Sequence, residues 1–555
     1  MTVPTQVKWL VFITLFINAT AMLSPIINAG DSVLYASLSQ HIALTNDWAS
    51  LVLSGRDWLD KPHFPFWITA LFFKIGGVSA FTYMLPGFLF HLLGGYFTYR
   101  IARLLYDRDT AWLALLVYVS VYHLMYTSSE VKAETYLTGS ITAACYYWLR
   151  YDTVAKLKYL LLGALFSAMA VMTKGVFTLI TITSGLVCMW LYQKQWHKLW
   201  SGKWLLALAL SLLFTTPEVV ALYLQFDSHP EKIMFGHTNV SGIKFFFWDS
   251  QFGRFFNTGP IQNREGNPWY FVHVFLWAFL PWVVVFFVAM VSGIRHFSTV
   301  SAFARSNFVF LCGTFFITFT LFSATSFQLD YYTVILFPFA AILCANYLAG
   351  GLKREPANRK LFAAQLGVTL LILMITLGLS IYVGHPALLV GVIGLIATLL
   401  LYGYLTRSQM RTAATLFYPV ISINIVYLFL VSMTVFAYTT YSIPYNANKI
   451  LAGKPELPIY VYQMDDIVAW ELELYKHSPS YGIEDVSNLP APGSHYFFII
   501  KEADFAKLNA RLGNVRPIAK GQWVDHKTGL LPRLLRLAKG VEPLDTINIV
   551  EVGVN

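Results

Sequence analysis

Charged side chains that could do chemistry are few in this 555-residue chain, and two groups of them lie near its N-terminus. Asp31 follows the first apolar stretch, where a carboxylate at the membrane edge is costly unless it is paired or functional. Asp is also a favoured helix N-cap, so Asp31 suits either role. Asp60, Lys61 and His63 lie in an aromatic segment with two prolines. Carboxylate and imidazole groups bind divalent metals and Lys binds phosphate, but the same residues also suit a polar turn.

Further candidate residues lie later in the chain. Glu134 opens an apolar stretch, where a helix N-terminus favours a negative charge. Asp249 and Arg254 lie among aromatic residues; Arg suits bidentate phosphate binding, and the aromatic residues also suit a membrane interface. Tyr332 stands at the mouth of another apolar stretch, whereas a lone Lys174 between two stretches is typical of a side chain that snorkels to the interface.

The composition of the chain indicates which kind of structure positions these residues. The chain is 57% hydrophobic and 12% charged, about half the charge of a soluble protein. Apolar stretches of about 20 residues recur, which predicts a polytopic helical membrane protein and excludes a soluble enzyme, a disordered chain and a disulfide scaffold. The net charge of +10 lies mostly in short loops, as topology signals do, and does not indicate nucleic-acid binding.

We predict an all-α polytopic fold of about thirteen transmembrane helices. Every second loop is basic, so the positive-inside rule places the N-terminus in the cytoplasm and the C-terminus outside. The predicted spans lie near residues 9–27, 80–99, 111–127, 135–151, 158–173, 176–193, 203–223, 269–290, 307–324, 331–350, 361–382, 386–405 and 415–438.

Two domains are predicted. Residues 1–440 form the transmembrane domain, whose outer loops 28–79 and 224–268 carry most of the polar groups. Within the first loop, Phe64–Ile75 is too short to span and should lie along the membrane surface. Residues 441–555 form a small outer α/β domain, in which period and composition predict strands and a helix. The strands are predicted at 459–462, 496–500 and 547–550, and the helix at 465–475.

The candidate residues all fall on the outer face, with aromatic residues around them. The spans carry almost no ionisable residue at their centres, whereas an ion-coupled transporter would show buried charges or broken helices there. The pattern therefore indicates a site for an amphiphile whose polar head carries phosphate.

The order of several short motifs resembles that of a known family. In chain order they are Asp31, Asp60-Lys61-Pro62, Glu134, Thr173-Lys174-Gly175, the segment 252–255, Pro281-Trp282 and the segment 329–332. This order is similar to that of polyprenyl-phosphate-dependent membrane glycosyltransferases with the C-type fold. That group contains protein O-mannosyltransferases and the 4-amino-4-deoxy-L-arabinose transferases that modify lipid A. The resemblance covers most of residues 1–350.

The resemblance implies roles for the matching residues. It makes Asp31 and Glu134 the catalytic carboxylates. It assigns the donor phosphate to four residues, which are Lys61, Arg254, Tyr35 and Tyr332. Asp60 matches an acidic residue of the family that is implicated in metal contact. Asp249 or Gln251 occupies the region where the family has a metal-contacting His, so a divalent metal ion is the candidate cofactor.

The implied activity is that of an inverting glycosyltransferase in the bacterial inner membrane. It would move a sugar, such as aminoarabinose, from undecaprenyl phosphate to lipid A or lipopolysaccharide on the periplasmic face. The same chemistry would serve protein Ser/Thr or a surface polysaccharide as acceptor. A flippase for lipid-linked sugars and a structural scaffold are the alternatives from other classes.

Overall fold

Helices make up most of the first 440 residues, as the long apolar stretches predict, and a mixed sheet follows them. The computed structural model describes residues 5–27, 30–262, 266–352, 355–384, 389, 391–397, 399–400, 411–476, 478–491, 493–512, 514–524, 535–537 and 539–553. The first helices are α1 (Thr5–Thr20), α2 (Asp31–Thr45), α3 (Phe64–Gly76), α4 (Ala80–Leu105), α5 (Arg108–Val119), α6 (Tyr122–Ser129), α7 (Ala133–Thr153), α8 (Leu157–Lys174), α9 (Thr178–Tyr192), α10 (Gly202–Leu213) and α11 (Thr216–Leu222).

The second half of the helical region contains several irregular turns. Two are π-helical, at Tyr223–Asp227 and Phe245–Gly253, and a 3₁₀ turn covers Asp330–Leu336. The remaining helices of this region are α12 (Gly242–Lys244), α13 (Arg254–Phe256), α14 (Tyr270–Ala278), α15 (Val283–Arg295), α16 (Ala302–Ala324), α17 (Phe337–Gly351), α18 (Glu355–Val383) and α19 (Arg411–Tyr441).

In the described residues, six helices are long and apolar enough to cross a membrane, which makes the chain a multi-pass membrane protein. The number rises to eight if each of two bent pairs, α5 with α6 and α14 with α15, is one span. Shorter apolar helices cover the predicted spans 9–27 and 176–193, and the predicted span 386–405 lies partly outside the described residues. Thirteen spans therefore stay a prediction.

The predicted C-terminal α/β domain is present. Two short strands, β1 (Val52–Leu53) and β2 (Arg56–Asp57), precede it in the first outer loop. The domain contains α20 (Ile443–Leu451), β3 (Ile459–Tyr462), α21 (Asp466–Lys476), β4 (Ser480–Ile483), β5 (Tyr496–Lys501), α22 (Glu502–Leu512), β6 (Val515–Trp523) and β7 (Asp545–Val552). The sheet order is β4-β3-β5-β7-β6, with β4, β3 and β5 parallel and β7 antiparallel to both neighbours. The three strands and the helix predicted from the sequence are confirmed. The elements α20, β4, α22 and β6 were not predicted.

Helix ends bring distant segments together on one side of the bundle. The antiparallel helices α7 and α8 pack against each other, so the start of α7 lies near the end of α8. The 3₁₀ turn before α17 packs on α7, and α2 packs on both α3 and α21. Asp31, Glu134, Lys174 and Tyr332 stand at these ends, so the fold gathers residues that lie far apart in the chain.

Candidate active site

Two cations converge on one carboxylate. Asp60 forms an ion pair with the guanidinium of Arg254, and its Oδ2 lies 2.9 Å from Nζ of Lys61. Arg254 directly follows the π-helical turn Phe245–Gly253, which carries the side chain toward Asp60. Burial lowers the pKa of Arg254 from its ordinary value. Few waters therefore compete for these cations, and they present a strong site for an anion.

A cavity of about 110 Å³ opens beside this group. Lys61, Arg254, Lys174 and Tyr332 line its polar part. Apolar side chains line the rest, among them Leu137, Phe177, Leu321, Phe322 and Ile335. A cationic end joined to an apolar wall matches an amphiphile with an anionic head, which is the ligand class that the sequence predicts.

Lys174, which lines the cavity, forms an ion pair with Glu134. Glu134 lies in the first turn of α7 with 2% of its surface exposed, and Lys174 ends α8. The Lys174 ammonium lies 3.5 Å from the centroid of the Tyr332 ring, a cation–π contact. Snorkelling was therefore the wrong interpretation of Lys174, because the buried Glu134 holds its charge inside the protein.

Asp31 is exposed, is not among the residues that line the cavity and does not cap its helix. Gly30 is the N-cap residue of α2, and no side chain forms a capping hydrogen bond there. Instead, Oδ2 of Asp31 accepts a 2.9 Å hydrogen bond from the hydroxyl of Tyr331. The Tyr331 ring also lies 4.2 Å below the ammonium of Lys132 and 5.6 Å from the ring of Tyr332. Tyr331 thus joins Asp31 to the cavity, a role that sequence reasoning missed.

Tyr35 lies one turn after Asp31 and is buried. Its ring meets that of Phe66 edge to face, with 4.9 Å between centroids. Burial first, and then the charge of Asp31, raise the pKa of its hydroxyl well above the ordinary value. Tyr35 is not among the lining residues of the cavity, so its contact with the donor phosphate stays a prediction.

His63 is held by a buried carboxylate. Its Nδ1 lies 2.9 Å from Oε1 of Glu218, its backbone N–H donates a 2.9 Å hydrogen bond to Oε2, and its Nε2 lies 3.1 Å from the carbonyl oxygen of Ala49. Both ring nitrogens are therefore engaged in fixing the loop before α3. Glu218 was not predicted, although a Glu within an apolar stretch is the signal that marks it.

The two predicted metal ligands do not form a metal site as placed. Both oxygens of Asp60 face cations, and Asp249 lies 4.0 Å from the ammonium of Lys244 and does not line the cavity. Within the described part of the chain, no three His, Cys, Asp or Glu side chains converge. The use of a divalent metal therefore stays a prediction, which transfer assays with and without a chelator test.

Comparison with known protein families gives a partial match. Residues 60–220 match the family model described as dolichyl-phosphate-mannose-protein mannosyltransferase. An undecaprenyl phosphate-alpha-4-amino-4-deoxy-L-arabinose arabinosyl transferase of Proteus mirabilis is 25% identical over 57% of this chain and 54% of its own length. An uncharacterized protein of Aquifex aeolicus is 24% identical over 78% of this chain and 79% of its own length. The match thus spans about half the length of the named relative.

Solved structures show the same fold over nearly the whole chain. The crystal structure of ArnT from Cupriavidus metallidurans bound to undecaprenyl phosphate superposes with a TM-score of 0.74 at 16% identity, covering 98% of each chain. The apo form of that protein gives a TM-score of 0.72 over the same shares. The chain therefore has the fold of these crystal structures, and over part of its length it is similar in sequence to the mannosyltransferase family and to the aminoarabinose transferases.

Proposed function

We propose that this protein is an inverting glycosyltransferase that moves a sugar from undecaprenyl phosphate to lipid A. The observation that carries the proposal is the convergence of Lys61 and Arg254 on Asp60 at one end of an apolar-walled cavity. An amphiphile with an anionic head satisfies both the cationic and the apolar part of this cavity. The names of relatives and of the superposed crystal structure make undecaprenyl phosphate the donor carrier and aminoarabinose the candidate sugar.

Lys61 and Arg254 would stabilise the departing phosphate. In the absence of donor, Asp60 balances both cations and holds them in place. When a donor binds, the phosphate oxygens take over these two partners. As the bond from the anomeric carbon to the phosphate oxygen breaks, negative charge grows on that oxygen, and cations already in place stabilise it without reorganisation.

Asp31 would act on the acceptor. Asp31 is exposed, and the Tyr331 hydroxyl orients its carboxylate. For a hydroxyl acceptor, Asp31 takes the proton as the oxygen attacks; for an ionised phosphate acceptor, it only orients the nucleophile. Attack on the face opposite the leaving phosphate inverts the anomeric centre.

The proposed orientation puts the site in the periplasm. Basic residues concentrate in the loops at the opposite end of the bundle, such as Arg100, Arg103 and Arg108 between α4 and α5. The positive-inside rule assigns that end to the cytoplasm, so the N-terminus is cytoplasmic and the C-terminal domain is periplasmic.

Mass spectrometry of cell lipids tests the proposal. We would compare lipid A and polyprenyl-linked sugars from cells with the wild-type gene, with Lys61→Ala, with Arg254→Ala and with no gene. Lys244→Ala is the matched control, since Lys244 is an exposed cation on the same loop. We expect lipid A to lose a sugar, and the lipid-linked donor to accumulate, in the first two variants and the deletion only. Unchanged lipid A with accumulated donor would indicate that the acceptor is a protein or a polysaccharide. Unchanged lipid A and unchanged donor levels in all strains would refute the proposal.

A further inference from the structure

A second cavity lies between the first outer loop and the C-terminal domain. It has a volume of about 250 Å³ and combines aromatic rings with charged groups. Its main lining residues are Arg56, Asp57, Trp58, Asp466, Trp470 and Tyr481. None of these residues has a role in the donor site described above.

The loop wall of this cavity is a rigid hairpin. Strands β1 (Val52–Leu53) and β2 (Arg56–Asp57) pair antiparallel across a two-residue turn. Ser54 and Gly55 of the turn both have positive φ, 47° and 76°, as the tight turn favoured in hairpins requires. Oδ1 of Asp57 accepts hydrogen bonds from Gln225 at 3.0 Å and from Lys232 at 2.9 Å, which fixes the hairpin to the helical domain.

The opposite wall is also held in place. Helix α21 lies against α2, where the Ser37 hydroxyl donates a 3.4 Å hydrogen bond to the carbonyl oxygen of Trp470. The carboxylate of Asp466 packs against Gly482 so closely that a Cβ at Gly482 would lie 2.5 Å from Oδ1. Both walls are therefore formed before any ligand arrives.

The chemistry of the lining suits a sugar ring. A pyranose or furanose presents C–H groups on its face and hydroxyl groups around its edge. Trp58, Trp470 and Tyr481 offer aromatic surface for the face, and Asp57, Asp466 and Arg56 offer acceptors and donors for the hydroxyls. Among the described residues, neither Arg56 nor Asp466 has an ion-pair partner.

The volume and the position of the cavity limit the class of ligand that it can bind. Its volume is below the range of about 300–1,000 Å³ for pockets of drug-sized ligands, so it has room for one ring. Two carboxylates in the lining disfavour a phosphate. The Trp58 ring meets the Phe66 ring edge to face at 5.6 Å, and Phe66 meets Tyr35 in the same way at 4.9 Å. Two ring contacts therefore lead from this cavity to the helix that begins with Asp31.

We propose that this cavity binds a sugar ring of the acceptor glycolipid while the nucleophile lies at Asp31. This inference rests on the proposed function for the identity of the acceptor. It assigns the C-terminal domain a role in acceptor recognition, because Asp466, Trp470 and Tyr481 all belong to that domain.

Steady-state transfer by the purified full-length protein tests the inference. The variants are Trp470→Ala and Asp466→Asn. Asp466 is exposed and the change to Asn is conservative, so this variant keeps the test valid if Trp470→Ala fails to fold. Trp200→Ala is the matched control, since Trp200 is exposed in the loop after α9, at the opposite end of the bundle. We expect the KM for lipid A to rise about tenfold in both cavity variants, which matches the loss of one good aromatic or charged contact. The KM for the donor and kcat should stay unchanged.

A binding experiment separates this inference from the proposed function. Calorimetry would titrate the deacylated saccharide of lipid A into the protein without donor. Weaker binding by both cavity variants, with Trp200→Ala equal to wild type, supports the cavity even if no transfer to lipid A occurs. Equal saccharide affinity and equal acceptor KM in all proteins would overturn it. Loss of affinity for a Ser/Thr peptide and not for the saccharide would overturn it as well.

Discussion

The hydroxyl of Tyr331 donates a 2.9 Å hydrogen bond to Oδ2 of Asp31, although 300 residues separate the two in the chain. Tyr332, the next residue, lines the donor cavity together with Lys61 and Arg254. Two consecutive tyrosines therefore connect the carboxylate proposed to handle the acceptor with the cations proposed to hold the donor phosphate. Any shift of the 3₁₀ turn that carries them would move both halves of the site.

Removing the Tyr331 hydroxyl should weaken catalysis through Asp31. A hydrogen bond to a charged group contributes about 1.5–3 kcal/mol, so we expect Tyr331→Phe to lower kcat/KM by about ten- to a hundredfold. In an Asp31→Asn background the same change should cost little, because the two residues act as one unit. A double-mutant cycle measures this coupling, and fully additive effects would show that the hydrogen bond has no part in the reaction.

The ion pair of Glu134 and Lys174 should be essential for stability. Lys174→Met leaves a buried carboxylate without its partner, and breaking a buried pair costs about 3–5 kcal/mol. We therefore expect a clear fall in the melting temperature of the detergent-solubilised protein. The double variant Glu134→Gln/Lys174→Met should recover most of the loss, since it removes both charges. A double variant as unstable as the single one would contradict the assignment.

Glu471 should make stability depend on pH. It lies in α21 with 0% of its surface exposed, and neither carboxylate oxygen has a hydrogen-bond partner among the described residues. Burial raises the pKa of Glu471 from 4.5 to about 8. A raised pKa means that the folded state holds a proton that the unfolded state loses, so this contribution is complete below about pH 4.5 and disappears as pH rises through about 8.

Thermal unfolding between pH 5 and pH 8.5 tests this expectation. The melting temperature of the wild type should fall over that window more steeply than that of Glu471→Gln, whose side chain cannot ionise. The change should also affect the contact with the helical domain, because Tyr475, one turn later, accepts a 2.9 Å hydrogen bond from the backbone N–H of Ile27. Identical pH profiles would show that Glu471 does not titrate in this range.

Binding of the donor phosphate should depend on the shape of the Arg254 guanidinium as well as on its charge. A guanidinium donates two parallel hydrogen bonds to a phosphate, which an ammonium does not reproduce. We expect Arg254→Lys to raise the donor KM several-fold with Lys61 intact, while Lys244→Arg has no effect. Native mass spectrometry with undecaprenyl phosphate measures the affinities directly, and equal affinity of Arg254→Lys and wild type would contradict bidentate binding.

Local patterns predicted the parts of the site that are contiguous in the chain. Asp60 and Lys61 are neighbours, and Arg254 stood out as a cation among aromatic residues, so the structure's ion-pair group could be expected. Tyr331 could not, because its importance depends on a contact across 300 residues. Lys174 was misinterpreted for a similar reason, since its partner Glu134 belongs to the preceding helix.

The helices and strands that could be predicted were likewise those with a clear local pattern in the sequence. Long apolar helices are marked by long apolar stretches, and the strands β3, β5 and β7, whose residues are mostly buried, are marked by short runs rich in apolar residues. Strand β4 is short with two exposed central residues, and β6 contains a proline and an irregular register, so neither shows strong alternation. The bend of 112° between α14 and α15 could not be inferred from a continuous apolar stretch.

The most direct test of the proposed transfer is a reconstituted reaction with a defined product. Purified wild-type protein and Asp31→Asn would each be given undecaprenyl-phosphate aminoarabinose and lipid A, and the product would be analysed by mass spectrometry and NMR. We predict that the wild type forms glycosylated lipid A with the anomeric configuration inverted, and that Asp31→Asn folds but forms little product. No product from the wild type, retention of configuration, or full turnover by Asp31→Asn would contradict the account.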